Sequence, residues 1–188
     1  MNRILTTVTA LLVMAIAASA QENKHYEIKS GILKQTTEVM GQKTESISYF
    51  DNFGELQASR SKLEVPGSGS MDIATIQKEG KMFMVNYTSG QVQEIPMQES
   101  VNYLDLTDEI VDKYKIVKTG EEEILGRMCA KYSEEVSQMG QTAKVTVWVW
   151  KGIPIKNVTE IQGISITTEV TEIVEDAMVL PQVFDVPE

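Results

Sequence analysis

The side chains best suited to chemistry are few. The 188-residue chain holds one cysteine and one histidine, Cys129 and His25. A thiol and an imidazole could form a nucleophile–base pair, but no motif surrounds either residue. His25 falls near the start of the chain that remains once residues 1–20 are removed as a leader. Cys129 lies between Met128 and Ala130 in a strand-like run, where a buried thiol is expected. One cysteine excludes an internal disulfide, and one cysteine with one histidine excludes the usual zinc and copper sites. Carboxylates are plentiful: Glu121, Glu122 and Glu123 in a run, Glu134 beside Glu135, and Asp105, Asp108, Glu109 and Asp112. Paired acids can hydrolyse glycosides or hold calcium. No D-x-D-x-D-G loop is present, however, and the glutamate run opens a strand. It reads as a solvated charged edge that deters edge-to-edge pairing. Ser68, in Pro66-Gly-Ser-Gly-Ser70, does not fit the nucleophile elbow G-x-S-x-G. The expectation is a protein without catalytic residues, cofactor or metal, and not an enzyme.

The remaining candidates are apolar. Past residue 20 the chain has Met40, Met71, Met82, Met84, Met97, Met128, Met139 and Met178. Methionine adapts to varied apolar partners. Met82 and Met84 share one face of an expected strand, with Phe83, Val85 and Tyr87 on the other. Trp148 and Trp150, the only two tryptophans, are also two apart on one strand. They point one way with Thr146, while Val145, Val147 and Val149 point the other. Such residues suit an aromatic-lined apolar pocket or ordinary core packing. A strand that is apolar on both faces is covered on both, so this one should be central.

Charge and the leader narrow the setting. Residues 1–20 run from Met-Asn-Arg through an apolar stretch to Ala18-Ser19-Ala20. They read as a cleaved signal peptide, too short to span a bilayer. They contain Arg3 and no acid, so their removal moves the net charge from −10 to −11. An acidic protein lacks the clustered Lys and Arg that nucleic acids require. Residues 21–188 are therefore expected to be one exported, periplasmic domain with no integral membrane segment and no nucleic-acid partner.

The elements that position these residues should be strands. Residues 21–188 contain 17 Val, 15 Ile and 13 Thr against 7 Leu and 5 Ala. That balance favours a pleated surface over a helix. Turn signals at Gly41, Gly54, Gly80, Gly90, Gly140 and Gly163 divide the chain. They leave strands near 25–40, 43–50, 55–65, 71–78, 81–87, 91–95, 115–124, 128–138, 142–151, 153–161 and 164–175. Only residues 99–114 break the pattern, with Val101, Leu104, Ile110, Val111 and Tyr114 near helical spacing. Thr107 is placed to cap a short helix that has Asp108 and Glu109 in its first turn. The fold expected is mainly β: a curved antiparallel sheet or unclosed β-barrel with a short helical lid.

Three C-terminal segments carry a family resemblance. They are Gly120-Glu-Glu-Glu-Ile-Leu-Gly-Arg-Met-Cys-Ala-Lys-Tyr132, Val147-Trp-Val-Trp-Lys-Gly-Ile-Pro-Ile-Lys156 and Val183-Phe-Asp-Val-Pro187. With the leader and the meander, they resemble the outer-membrane lipoprotein carriers, the LolA/LolB-like superfamily. The resemblance implies a half-barrel whose helices cover an apolar cavity for acyl chains. No cysteine follows the leader, so the attachment residue of the lipid-anchored receptor branch is missing. The function expected is a non-enzymatic binding or carrier protein for a lipid, an acyl chain or a lipoprotein. Met82, Met84, Trp148, Trp150, Ile164 and Ile166 are expected to line the cavity. Leu104, Ile110 and Val111 are expected to form the underside of the lid. The alternative is an envelope protein-interaction or sensor module on the same fold.

Overall fold

The computed structural model describes residues 24–65, 69–97, 101–138 and 141–187. The expected leader, residues 1–20, lies outside the described residues. The strands are β1 (Gly31–Val39), β2 (Gln42–Asp51), β3 (Leu56–Val65), β4 (Gly69–Lys78), β5 (Lys81–Asn86) and β6 (Gln91–Ile95), followed by β7 (Val117–Ile124), β8 (Arg127–Gln138), β9 (Gln141–Trp150), β10 (Ile153–Ile161) and β11 (Ile164–Glu175). Among the described residues one α-helix, α1 (Asp108–Tyr114), falls between β6 and β7. Five of the hairpins turn on two residues that both have positive φ: Met40-Gly41, Glu79-Gly80, Leu125-Gly126, Lys151-Gly152 and Gln162-Gly163. That geometry matches the right-handed twist of the strands it joins.

The strands form one sheet in the order β6-β5-β4-β3-β2-β1-β11-β10-β9-β8-β7. It consists of two meanders, β1–β6 and β7–β11, joined where β1 pairs antiparallel with β11. Among the described residues the edges β6 and β7 are not paired, so the sheet is an open half-barrel. The first strand begins at Gly31, later than the expected residue 25. The backbone N–H groups of His25 and Tyr26 both donate to the Phe53 carbonyl, and that of Glu27 donates to the Lys151 carbonyl. This binds residues 25–27 to the hairpin ends instead of to a strand ladder.

The span 99–114 yields one helix. Thr107 caps it, its side chain accepting from the Ile110 N–H at 3.3 Å. Residues 101–107 instead form turns held by Asn102, which accepts from the Leu104 N–H at 3.0 Å.

Two apolar clusters hold the sheet. One joins Ile28, Leu33, Phe50, Cys129, Trp148, Ile153, Ile155 and Val170. The other lies on the outer side of the first meander. There Ala58, Ala74, Ile76 and Val85 meet Phe184, with Val179, Val183 and Val186 packed around it. The chain past β11 thus returns as a strap across β3 and β4, and Phe184 is its 2 % exposed anchor.

Two substitutions test these constraints. Phe184→Ala should cost about 3–5 kcal/mol, read as a fall in the urea midpoint with the slope retained. Gly152 sits at φ +81, and a Cβ there would meet the His25 carbonyl oxygen and lie 2.9 Å from Leu104 Cγ. Gly163 has a similar φ of +78 with nothing within 4 Å. Gly163→Ala should therefore cost only about 1–2 kcal/mol of backbone strain. Gly152→Ala should cost clearly more and release the 24–30 segment to proteolysis. Equal midpoints for the two variants would contradict this packing.

Candidate functional site

Cross-strand partners share a face of a sheet, so the register sorts every candidate side chain. Tyr103, from the segment before α1, marks the covered face. Its ring lies 5.4 Å from that of Tyr132, and its hydroxyl donates to Glu134 Oε2 at 3.1 Å. We call this side the lid face.

Two rows of side chains run from beneath Tyr103 across the sheet. Glu134 is opposite Val145, then Thr159, Ile166 and Val39. Tyr132 is opposite Val147, then Asn157, Thr168 and Thr37. A third row, Val136, Ala143, then Ile161 beside Ile164, lies next to them. The lid face of the second meander is thus mostly apolar.

The same face of the first meander is different. Its central positions are Gln35, Thr37, Ser46, Ser48, Gln57, Ser59, Thr75 and Gln77. They bond to one another: Thr37 to Thr168 at 3.0 Å, and Ser48 to Gln35 at 2.9 Å and to Ser59 at 3.1 Å. Gln57 accepts from the Tyr26 hydroxyl at 3.3 Å and donates to the Gly54 carbonyl at 2.8 Å. Neutral hydrogen-bonding groups can be buried only when satisfied, and this network satisfies them.

The expected cavity residues separate on this map. Ile164 and Ile166 lie on the lid face in and beside the Glu134 row. Met82 and Met84 are on the same face but at its opposite corner. Met82 leads through Gln77, Gln57 and Phe50 to Gly31, eight residues, or about 27 Å, along β1 from the Ile166 partner Val39. Trp148 and Trp150 are on the other face. Lys131 and Lys156 lie over the Trp148 ring at 4.6 and 5.5 Å, and Arg127 and Lys151 over Trp150 at 4.8 and 4.7 Å. The Trp148 Nε1–H donates to Glu122 at 2.7 Å. Cationic side chains, through their stems and charge, roof these rings; the lid does not reach them. In the lid, Ile110 and Val111 are half-buried and Leu104 is 38 % exposed. Helix α1 has no fully buried residue.

Sequence reasoning did not single out Glu134 or Tyr103. Glu134 is 7 % exposed and the one charged residue in the three lid-face rows. Burial raises its carboxyl above the usual range, partly offset by the Tyr103 hydroxyl. Burial also pushes the Tyr103 hydroxyl well above its ordinary value, with the Glu134 charge adding to it. Lys115 does not offset the charge, since it pairs with Glu135 on the outer side at 2.5 Å. The available signal was alternation: beside Tyr132 and Val136, Glu134 had to share a face with both. Cys129 is fully buried, and burial pushes its thiol up, away from a thiolate nucleophile. Among the described residues no group of three or more His, Cys, Asp or Glu side chains could hold a metal.

The pH dependence follows from the sign of the Glu134 shift. A carboxyl raised in the folded state contributes fully below its ordinary value, and the contribution is lost as pH rises through the raised one. Glu134→Gln keeps an acceptor for Tyr103 and removes the charge. Its Tm should match the wild type near about pH 4 and rise above it towards about pH 7. Tyr103 and Tyr132 are the titratable groups facing it, and the Tyr103 hydroxyl is pushed well above its ordinary value. A Tm difference independent of pH would contradict the buried carboxylate.

The fold has solved counterparts. An uncharacterized conserved protein from Thermus thermophilus aligns at TM-score 0.57 and 14% identity, over 86% of this chain and 88% of that one. The MucA/MucB complex of Pseudomonas aeruginosa aligns at TM-score 0.53 and 11% identity, over 88% of this chain and 58% of that one. The Mycobacterium tuberculosis lipoprotein LppX aligns at TM-score 0.43 and 8% identity, over 82% of this chain and 90% of that one. The open half-barrel that its C-terminal motifs implied is present, and the first two of these structures share that fold. The comparison with curated proteins found no match. Residues 30–154, two thirds of the chain, match the family described as "Domain of unknown function (DUF4412)", and the chain belongs to that family.

Proposed function

We propose that this protein is a non-enzymatic, exported binding or carrier protein. It holds the apolar part of a lipid, acyl chain or lipoprotein between the lid segment and the lid face of β8–β11. The observation that carries this reading is the contrast between the two meanders. On the face that Tyr103 marks, the second meander presents Val136, Ala143, Val145, Ile161, Ile164 and Ile166, whereas the central positions of the first meander carry a hydrogen-bonded polar network. Burying apolar ligand surface there contributes about 25 cal/mol per Å². The lid can yield, since α1 buries no residue fully. Ile164, Ile166, Ile110 and Val111 fit such a seat; Met82, Met84, Trp148 and Trp150 do not border it. Leu104, which packs towards Gly152, serves as a hinge contact for the lid.

A second reading takes a partner protein in place of a lipid. It draws on the likeness to the MucA/MucB complex, and on the two sheet edges, β6 and β7, left unpaired by the fold.

Native mass spectrometry of gently purified protein should show bound lipid. A neutral apolar fluorophore such as N-phenyl-1-naphthylamine should bind with a blue-shifted emission. Ile164→Glu and Ile110→Glu should each weaken fluorophore binding about tenfold or more, because a charge must then be desolvated. Met84→Glu, at the far corner, should leave it unchanged. No bound lipid together with no fluorophore uptake removes the lipid reading. Capture of one envelope protein at a fixed ratio would then favour the second.

A further inference from the structure

We propose that Glu134, Tyr103 and Tyr132 form a seat for a positively charged head group, so that the preferred ligand is an ammonium-bearing amphiphile. The proposal rests on the apolar-ligand reading and names the head-group chemistry that the same face selects.

Three observations carry it. Glu134 is the one charged side chain in the lid-face rows, and it sits where the apolar strip meets the lid. No Lys or Arg among the described residues forms an ion pair with it; its partner is the neutral Tyr103 hydroxyl at 3.1 Å. Two aromatic rings flank it, Tyr103 and Tyr132, with centroids 5.4 Å apart and planes inclined at 35°. A carboxylate already stripped of water and lacking a cation gains most from meeting one. Tyrosine faces add cation–π attraction. On the outer face, by contrast, Arg127 pairs with Glu175 at 2.8 Å and Lys156 with Glu169 at 3.5 Å. An anionic head group would instead meet like charge in a dry setting.

Occupation needs only that Tyr103 give way. The ammonium arrives with its proton and donates to the carboxylate in place of the Tyr103 hydroxyl. Any proton held by Glu134 passes from its carboxyl oxygen to water, and no other covalent bond changes. Tyr103 belongs to a segment anchored lightly, by Asn102 Nδ2 donating to the Lys24 carbonyl at 3.1 Å. The alkyl tail then follows the row of Val145, Thr159 and Ile166.

The test compares three ten-carbon amphiphiles that differ only in charge: decylammonium, decanol and decanoate. Each displaces the neutral fluorophore below its aggregation limit, in about 0.3 M salt to screen surface attraction. Decylammonium should bind about tenfold more tightly than decanol, and decanoate about tenfold more weakly. Glu134→Gln should bring the three within about twofold of one another, with its fold confirmed by Tm. Glu123→Gln, on the exposed edge strand, should keep the wild-type order. Equal displacement by all three, or an order that survives Glu134→Gln, overturns the seat while leaving the apolar reading intact. Should the fluorophore not bind, calorimetric titration with decylammonium decides directly. Saturation at one equivalent that Glu134→Gln abolishes supports the seat, and no saturable heat overturns it.

Discussion

The pairing of the first strand with the last holds the molecule together. Each meander is local, built from hairpins whose partners lie a few residues apart. Only the β1–β11 ladder, from Gly31 opposite Glu175 to Val39 opposite Ile166, makes one surface of the two. Without it the polar face of the first meander and the apolar face of the second would not be continuous. Closing so long a loop is entropically expensive. The ladder is backed by Leu33, Phe50, Ile155 and Val170 in one cluster. A register shift between Lys34 and Gln35 lets the two strands keep their apolar sides in line despite an unequal residue count.

From that join follows a division of labour between the two sides of the sheet. The outer side is covered by the chain's own material: the C-terminal strap over the first meander, and cationic side chains over the tryptophans of the second. The other side is covered at β8 by a short segment that carries Tyr103 and α1. The proposed binding address lies where that cover is thinnest and the floor is apolar. Glu134 gives that address a polarity. A buried carboxylate costs stability, and the fold tolerates it beside the segment that carries Tyr103.

Much of the fold was legible in the sequence. The strand limits followed because each turn advertises itself: a glycine at the second position of a two-residue loop leaves little freedom in where a hairpin bends. Thr107 with Asp108 and Glu109 marked the helix start for equally local reasons. What failed to show was long-range. Alternation put Trp148 and Val147 on opposite faces, but nothing within β9 says which face lies under the lid; that depends on Tyr103 reaching Tyr132. Likewise Met82 and Ile166 do share a face, yet their distance depends on register carried through six strands. Glu134 was passed over as one member of an acidic pair, because a charged residue usually marks solvent and its burial becomes visible only once its neighbours are placed.

The strap at the C-terminus has a consequence for how the protein is made. Phe184 fills the cluster around Ile76 and Val85, and β1 pairs with β11, so the first meander lacks both of its mates until residues 164–186 have been synthesised. Interrupted synthesis would leave a half-sheet with a bare apolar side and an unpaired strand, a species prone to aggregate. The first meander is thus completed by segments that follow it by about 70 residues or more, β11 and the Phe184 strap.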